Sequence, residues 1–402
     1  MSKAKDLFFA LRDRVRFIWA RNKFTFMPFG KVEDFDLKQM RHIVILKVDG
    51  KLGDTQVMTH FYQTLREQIP DLTLSVVCPP ALAPIYADVL GFDQVCTSSR
   101  KPRKSEIEYI CQKLTGPESA CQYVDLVVTT EPIFKPRDFI FNYNLRPRYV
   151  AGCAPVLKGS EINLFLFDPY KDMRHITTCF TDFMQQGKLP FKPVHYVPLY
   201  SSEKLAEAKT NLGLIPTEGQ AIHSEAPVVV GINPCGASVR NRVTPAMVST
   251  LVKQLQAKWG AHVATGQEGQ GSAQRLILLL LCPASLQDFV DEVKAQVGSV
   301  ETKNFELRTL PPVDVESFAA YIGALQALVT VDTATVHLAC ASDVPQLCFY
   351  RGEDNSMETQ RWCPYSDVAE VISSNTDRLD IMDSELFVSR SMSFLSRVLA
   401  LD

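Results

Sequence analysis

Short apolar runs alternate with amphipathic, helix-like segments along most of this sequence. In the first half the predicted strands are 42–48, 72–78, 94–96 and 124–129, and the predicted helices are 54–68, 81–90 and 105–114. In the second half the predicted strands are 228–233, 261–264, 276–282, 305–307, 328–331 and 346–350, and the predicted helices are 245–259, 283–297, 315–327 and 333–342. Strands that alternate with helices form parallel sheets whose two faces are both covered. The sequence therefore predicts an α/β protein with two α/β/α domains that face a cleft.

Two stretches interrupt this alternation and indicate the domain limits. Residues 130–200 show mixed patterns with one helix at 175–186, and a polar stretch at 201–227 precedes the second series of strands. A chain of 402 residues is long enough for two domains of ordinary size. We predict a lead-in segment at 1–40, a first domain at 41–205 and a second domain at 206–402.

The composition excludes several classes of protein. An apolar fraction of 46% can fill two cores, and a net charge of −3 is not that of a general nucleic-acid binder. The eleven cysteines are scattered without a CxxC pair, which predicts reduced thiols rather than a disulfide framework or a zinc site. No apolar run approaches the ~20 residues of a membrane span, and the N-terminus does not have the pattern of a signal peptide. These features favour a cytoplasmic protein.

The N-terminal segment has the pattern of a basic amphipathic helix. By helical spacing, its apolar face comprises Leu7, Phe8, Leu11, Val15, Ile18 and Trp19. The basic residues around this face are Lys3, Lys5, Arg12, Arg14, Arg16, Arg21 and Lys23. Such a helix can lie on an anionic membrane surface. It can equally pack against its own protein or a partner chain, and the sequence leaves both alternatives open.

A strand, a tight turn, a helix and a second strand follow one another in residues 327–349. The first apolar run ends at Asp332, and a helix begins at Thr333 with His337 one turn further along. Free backbone N–H groups at such a helix start, with the hydroxyls of Thr333 and Thr335, predict a site for a phosphate or diphosphate. Asp332 could bind sugar hydroxyls. His337 is either a ligand contact or a half-buried packing residue.

The loop after the first strand, residues 47–54, reads Lys-Val-Asp-Gly-Lys-Leu-Gly-Asp. Gly50 and Gly53 permit a tight turn and the close approach of a ligand. Asp54 is either the N-cap of the next helix or a general base that takes a proton from an acceptor hydroxyl. The loop is neither a Walker A motif nor the GxGxxG motif of a nicotinamide site.

The first strand of the second half also ends in a loop whose side chains could bind a ligand. This loop carries a serine and two arginines before a helix that opens with Thr244 and Pro245. Arg240 or Arg242 could neutralise a diphosphate, with Ser238 as a further contact. The alternative is that both arginines are solvated loop residues.

Basic residues cluster in loops of the first half, where they could bind an anionic acceptor. The cluster comprises Arg100, Lys101, Arg103, Lys104, Lys135, Arg137, Arg146 and Arg148. The residues that we predict to bind the acceptor are Lys51, Gly53, Arg103, Arg146 and Arg148. A solvated basic surface is the alternative.

These loops, in this order, resemble those of glycosyltransferase family 9, the ADP-heptose:lipopolysaccharide heptosyltransferases. The Leu/Met-Gly-Asp turn of that family is matched by Leu52-Gly53-Asp54. Its small-residue loop with a following basic residue is matched by residues 233–238 and Arg242. Its motif Val-Asp-Thr-Gly-x-x-His-Leu-Ala is matched by Val-Asp-Thr-Ala-Thr-Val-His-Leu-Ala at 331–339. The resemblance covers residues 41–370.

The resemblance implies a GT-B fold, which has two Rossmann-like domains around a cleft. It also implies an inverting transfer of heptose from ADP-heptose to the lipopolysaccharide core, with Asp54 as the catalytic base and Arg242 in place of a lysine that holds the donor phosphates. The remaining donor-binding residues would be Ser238, Arg240, Asp332, Thr333, Ala334, Thr335 and His337. The nucleotide sugar is a substrate, so no cofactor and no metal is implied. The enzyme would act at the cytoplasmic face of the inner membrane, as a peripheral protein.

Three departures from the family pattern concern the donor. Ala334 stands where the family has glycine, Val243-Thr244 replace a tryptophan, and Pro283-Ala284-Ser285 replace the usual glycines and a glutamate that reads the ribose. Another nucleotide sugar or glycan acceptor is therefore one alternative. A non-catalytic paralogue that binds glycan or a partner enzyme is a second. A sugar-nucleotide epimerase is a third, but it would need several acid/base groups on the donor side that the sequence does not identify.

Overall fold

The computed structural model describes residues 3–119, 121–131, 135–153, 162–168, 171–216, 226–265, 274–299, 301–354 and 356–401. The chain divides into two compact units, Met1–His195 and Tyr196–Asp402. The predicted domain boundary after residue 205 lies within a helix of the second unit, Ser202–Asn211.

The N-terminal unit is built on a parallel sheet. Its strands are β1 His42–Leu46, β2 Thr73–Cys78, β3 Gln94–Thr97, β4 Leu126–Thr129, β5 Tyr149–Gly152 and β6 Leu164–Phe165. Its helices are α1 Lys3–Lys23, α2 Leu52–Val57, α3 Thr59–Gln68, α4 Lys104–Thr115, α5 Pro136–Leu145 and α6 Ile176–Gln186. The strand order is β3-β2-β1-β4-β5-β6, so β1 is central, and all five of its residues are buried. Continuous burial is expected for a strand that helices cover on both faces.

The C-terminal unit repeats this architecture. Its helices are α7 Ser202–Asn211, α8 Pro245–Thr265, α9 Gln287–Val297, α10 Val315–Gly323, α11 Ala334–Cys340, α12 Met357–Trp362 and α13 Ser384–Val398. Its strands are β7 Val228–Asn233, β8 Leu276–Leu280, β9 Phe305–Thr309, β10 Ala327–Val331, β11 Gln346–Tyr350 and β12 Ala369–Ser373. The order is β12-β11-β10-β7-β8-β9, and every neighbouring pair is parallel. The predicted α/β class with two parallel sheets is thereby confirmed.

Several element predictions need correction. The predicted helix 54–68 is two helices, α2 and α3, which meet at Met58. The predicted strand 261–264 is wrong, because these residues continue α8 to Thr265. The predicted helix 81–90 is a 3₁₀ turn at Pro80–Leu82 followed by a π-helical turn at Ile85–Val89. The elements that the sequence patterns missed are α5, β5, β6, α7, α12, β12 and α13.

Helix α1 packs on its own unit, but through residues other than those predicted. Phe17, Ala20 and Phe24 are buried, and the ring of Phe17 lies 5.0 Å from that of Phe139 in α5. The predicted apolar face is exposed where it is described, at Val15, Ile18 and Trp19. The side chains of the other predicted members of that face, Leu7, Phe8 and Leu11, lie outside the described residues.

Two further features concern the cysteines and the lengths of the helices. All eleven cysteines are free thiols, and eight of them are buried. Within the described ranges, no helix is both long enough and apolar enough to cross a bilayer.

Candidate active site

A buried lysine organises the loop that follows β1. The side chain of Lys47 has no exposed surface, and its Nζ lies 3.1 Å from Oδ2 of Asp54 and 3.2 Å from Oδ1 of Asp49. Lys47 also donates to the hydroxyl of Thr130, just after β4, over 3.3 Å. Because β1 and β4 are parallel neighbours, this cluster stands at the carboxyl ends of two central strands, where ligands of open α/β sheets bind.

The charges of this cluster depend on one another. Burial opposes protonation of Lys47, but Asp54 and Asp49 outweigh it and hold the pKa of Lys47 above its ordinary value. Burial likewise opposes ionisation of Asp49, but Lys47 outweighs it and the pKa of Asp49 lies below its ordinary value. A buried ammonium between two carboxylates fixes their positions, because loss of the ammonium would leave both carboxylates without a counter-charge.

The backbone explains how Asp54 reaches this lysine. Gly50 has a φ of +66°, and a Cβ there would lie 2.6 Å from Pro79, so the turn requires glycine. Lys51 is the N-cap residue of α2 and makes no side-chain cap bond. The alternative that Asp54 is an N-cap is therefore wrong. Asp54 lies in the first turn of α2, where the helix dipole favours a carboxylate.

The residues predicted to bind the acceptor do not all lie near Asp54. Lys51 and Gly53 adjoin it in sequence, and Arg103 precedes α4 at the same edge of the sheet, because that loop follows β3. Arg146 ends α5 and Arg148 directly precedes β5. Both arginines therefore lie at the amino-terminal edge of the sheet, opposite Asp54. The structure does not bring Arg146 and Arg148 to the Lys47 cluster.

Other basic residues of the first half have acidic neighbours of their own. Lys135 and Arg137 both form ion pairs with the buried carboxylate of Glu131, and Lys104 pairs with Glu108. These pairs make the Lys135–Arg137 segment part of the framework around β4 rather than a free cationic surface.

In the C-terminal unit, Asn233 connects three segments at the carboxyl ends of the central strands. Its side-chain oxygen lies 2.9 Å from the hydroxyls of Thr333 and Thr335 and 3.1 Å from that of Thr330. Its side-chain nitrogen donates to the carbonyl oxygens of Cys235, over 3.3 Å, and Leu281, over 3.1 Å. This amide orientation is required because an amide oxygen facing two carbonyl oxygens would be repelled. Asn233 therefore ties together the loops that follow β7, β8 and β10.

The loop after β7 closes tightly beneath Asp332. The N–H group of Gly236 donates to the carbonyl of Asn241 over 2.7 Å, and a Cβ at Gly236 would lie 2.7 Å from Cβ of Asn241. The side-chain nitrogen of Asn241 in turn lies 3.2 Å from Oδ2 of Asp332. This contact brings together two of the loops that the sequence analysis singled out.

The two arginines of this loop differ in environment. Arg240 and Ser238 are exposed, and the hydroxyl of Ser238 accepts from the backbone N–H of Arg240. Arg242 is half-buried, with its Nε 3.5 Å from the carbonyl oxygen of Gly236. A hydrogen bond from the Cys282 thiol lowers the pKa of Cys235, against its burial and with help from Arg242. The guanidinium of Arg242 therefore lies against the backbone of the loop, whereas the side chain of Arg240 is exposed to solvent.

Helix α11 begins as predicted, next to this loop. Thr333 is its N-cap, and its hydroxyl accepts from the backbone N–H of Thr335 over 3.2 Å. Ala334 is the first residue of α11 and is absent from the described residues with positive φ, so this turn has no need of glycine. His337 is buried with its ring 6.1 Å from Trp362, edge to face, which fits the packing alternative.

Among the residues of these clusters that were not predicted as site residues are Lys47, Asp49, Thr130, Asn233 and Asn241. Lys47 and Asn233 each stand at the end of a central strand, where a polar residue interrupts an apolar run. That interruption is the signal that could have identified them. Within the described residues, no group of three or more His, Cys, Asp or Glu side chains is placed to hold a metal ion.

Residues 272–385 match the sequence model of glycosyltransferase family 9 (heptosyltransferase). The predicted resemblance to this family is confirmed. The matched range includes the 331–339 motif with Asp332, Thr333 and His337, and it leaves out Asp54 and Arg242. The match supports glycosyltransferase activity, as the sequence predicts.

Solved structures resemble nearly the whole chain. A family 9 glycosyl transferase of Veillonella parvula has a TM-score of 0.66 and 16% identity, over 90% of this chain and 99% of that one. The ADP-heptose LPS heptosyltransferase II of Escherichia coli has a TM-score of 0.64 and 15% sequence identity, over 90% of this chain and 99% of that one. The E. coli heptosyltransferase WaaC with ADP has a TM-score of 0.60 and 15% sequence identity, over 88% of this chain and 99% of that one. These structures confirm the predicted GT-B fold. Comparison with curated protein sequences gives no match.

Proposed function

We propose that this protein is an inverting glycosyltransferase that moves heptose from ADP-heptose to the lipopolysaccharide core. The contact that carries the proposal is the pairing of Asp54 with the buried Lys47, at the carboxyl end of β1. A carboxylate held there can accept the proton of an acceptor hydroxyl as that oxygen attacks the anomeric carbon. One base suffices for a single displacement, in which the nucleoside diphosphate leaves as the new bond forms.

The C-terminal unit would bind the donor. Support comes from the family match over residues 272–385 and from the similar structures of E. coli heptosyltransferase WaaC with ADP and with ADP-2-deoxy-2-fluoro heptose. The N-cap turn at Thr333 to Thr335 would bind a diphosphate through backbone N–H groups, since both threonine hydroxyls already donate to Asn233. Arg242 offers a cation that would stabilise the leaving group. Asp332, fixed by Asn241, would contact the sugar. Ser238, Arg240 and His337 stay predicted donor contacts.

The acceptor would be an anionic glycan, with Lys51, Gly53 and Arg103 nearest to the base. Arg146 and Arg148 would contact only a distant part of a large acceptor, because they lie at the other edge of the sheet. Peripheral contact with the inner membrane belongs to the same proposal, since the lipopolysaccharide core is carried on a lipid.

The test measures nucleotide release from ADP-heptose in the presence of a heptose-free lipopolysaccharide core fragment. We expect ADP release that depends on the acceptor, and thermal stabilisation by ADP but not by UDP, GDP or CMP. Release from a different nucleotide sugar alone would replace the donor and keep the mechanism. A protein that binds nucleotide without turnover, or binds none, would instead be the non-catalytic paralogue.

A further inference from the structure

Helix α1 has an inner and an outer apolar face, which meet where the ring of Trp19 packs edge to face on Phe24 at 5.7 Å. Phe17, Ala20 and Phe24 form the inner face, and Phe24 also packs edge to face on Tyr143 of α5 at 5.6 Å. The outer face is formed by Val15, Ile18 and Trp19, whose exposed fractions are 58%, 47% and 51%. At 3.6 residues per turn, the spacing i, i+3, i+4 makes the outer residues one continuous stripe. One face thus anchors the helix to its unit and leaves the other available.

Two further large apolar side chains are exposed after the helix. Met27 and Phe29 are each 69% exposed in the segment that leads from α1 toward β1. Single exposed apolar residues are ordinary, but a stripe of three on one helix indicates an interaction surface. In the part of the chain that the structure describes, this surface stays exposed, because the inner face of α1 is the one that packs on α5.

The charge of the helix indicates what covers this surface. Residues 3–23 contain seven lysines and arginines against two aspartates, a net charge of +5, although the whole chain carries −3. Arg14 and Arg16 are exposed on either side of the stripe, and the Lys23 ammonium lies 5.3 Å from the ring centre of Trp19. A second copy would bring an equally positive helix against this one, which charge repulsion disfavours. An anionic surface is complementary.

We propose that the outer face of α1 lies on an anionic phospholipid bilayer. Val15, Ile18 and Trp19 would enter the boundary between headgroups and acyl chains, where the amphipathic ring of tryptophan is favoured. Arg14, Arg16 and the neighbouring cations would contact lipid phosphates. This proposal deepens the proposed function and rests on it in one respect: a bilayer-bound enzyme meets an acceptor that is carried on a lipid.

The test is flotation of the full chain with vesicles of phosphatidylglycerol and phosphatidylethanolamine, and with vesicles of phosphatidylcholine alone. We expect flotation with the anionic vesicles only. In the triple variant V15S/I18S/W19S, the fraction of protein bound to the anionic vesicles should be lower by about tenfold or more. In the double variant R14Q/R16Q, the affinity for the anionic vesicles should fall about fivefold for each charge removed. The matched control replaces three exposed apolar side chains elsewhere, Tyr123, Phe191 and Ile381, by serine and should float like the wild type.

Three results would overturn the proposal: no flotation of the wild type, equal flotation of the triple variant, or equal binding to both kinds of vesicle. A lipid-free dimer that the triple variant dissociates would also overturn it, because the face would then join two copies. Transfer to a soluble acceptor fragment distinguishes the two proposals. If the bilayer proposal alone is right, the wild type floats without transfer activity; if the transferase proposal alone is right, it transfers without floating.

Discussion

The ammonium group of Lys47 lies 3.1 Å from the carboxylate of Asp54, although no part of the Lys47 side chain reaches solvent. The same ammonium holds Asp49 at 3.2 Å and Thr130 at 3.3 Å. One buried cation therefore determines where the proposed base stands relative to the ends of β1 and β4. The first two predictions concern this pair.

Replacement of Asp54 by asparagine should stop transfer without changing nucleotide binding. The amide keeps the size of the side chain but cannot accept a proton, so kcat should fall by about 10²–10⁴. The dissociation constant for ADP, measured by calorimetry, should stay unchanged because the proposed donor residues are in the C-terminal unit. Asp71→Asn is the matched control, since Asp71 is an exposed acid paired with the exposed Arg41. A variant D54N with wild-type kcat would remove Asp54 from the mechanism.

Lys47→Met should destabilise the N-terminal unit in a way that depends on pH. Removal of one partner from a buried ion pair costs about 3 kcal/mol or more, because Asp49 and Asp54 are left without a counter-charge. In the wild type the lowered pKa of Asp49 gives stability that is present above the ordinary carboxyl pKa and is lost as the pH falls through the lowered one. The raised pKa of Lys47 gives stability that is present below the ordinary lysine pKa and is lost only as the pH rises through the raised value.

Without Lys47, burial favours the neutral form of Asp49, and of the groups that lower its pKa the nearby Lys51 remains. The free-energy difference between wild type and K47M should therefore grow as the pH rises from about 3 to about 6, and then level off. Denaturant unfolding at several pH values measures it, with Lys38→Met at an exposed position as the control. A difference that is the same at every pH would contradict the ion-pair account.

The limits of prediction from sequence follow from the kind of signal each element carries. Strands β7 and β11 were predicted at their observed bounds because central parallel strands are continuous apolar runs between turn residues. Residues 261–264 were misassigned because a four-residue segment with three apolar residues fits a strand or the last turn of a helix equally well. Strand β6, with two residues at a sheet edge, is too short to have a pattern at all.

The candidate site was predictable to the extent that it lies on loops next to strand ends. Asp54, Asp332 and Thr333 were identified in this way. Lys47 was not, because its role depends on Asp49, Asp54 and Thr130 converging on one nitrogen, and the Lys47–Thr130 contact joins residues 83 apart in sequence. The direction in which α1 packs was equally hidden, since both of its faces carry apolar residues and only the position of α5 selects one.

The two arginines after β7 should differ in their effect on nucleotide affinity. Arg242 is half-buried beside Gly236, whereas Arg240 is exposed, so only Arg242 has a position fixed before the ligand binds. A charge-assisted hydrogen bond contributes about 1.5–3 kcal/mol, so Arg242→Ala should weaken ADP binding by about tenfold or more. Arg240→Ala should change the dissociation constant for ADP less than threefold. Calorimetry on both variants makes the comparison, and an equal loss in both would mean that the exposed arginine binds the diphosphate as well.

Asn233 gives the sharpest test of the donor side, because its two amide atoms face opposite kinds of partner. Asn233→Ala removes bonds to three threonines and two carbonyls, and should lower the free energy of unfolding of the C-terminal unit by about 1–3 kcal/mol. Asn233→Asp retains an acceptor for Thr333 and Thr335 but turns a second oxygen toward the carbonyls of Cys235 and Leu281. Asn233→Asp should therefore be at least as destabilising as Asn233→Ala. Its loss of unfolding free energy should become smaller in acid, where a protonated carboxyl can donate a hydrogen bond to these carbonyls. Chemical denaturation at neutral and acidic pH measures both variants. A stable N233D at neutral pH would mean that the side-chain nitrogen is not needed to join the loops after β7 and β8.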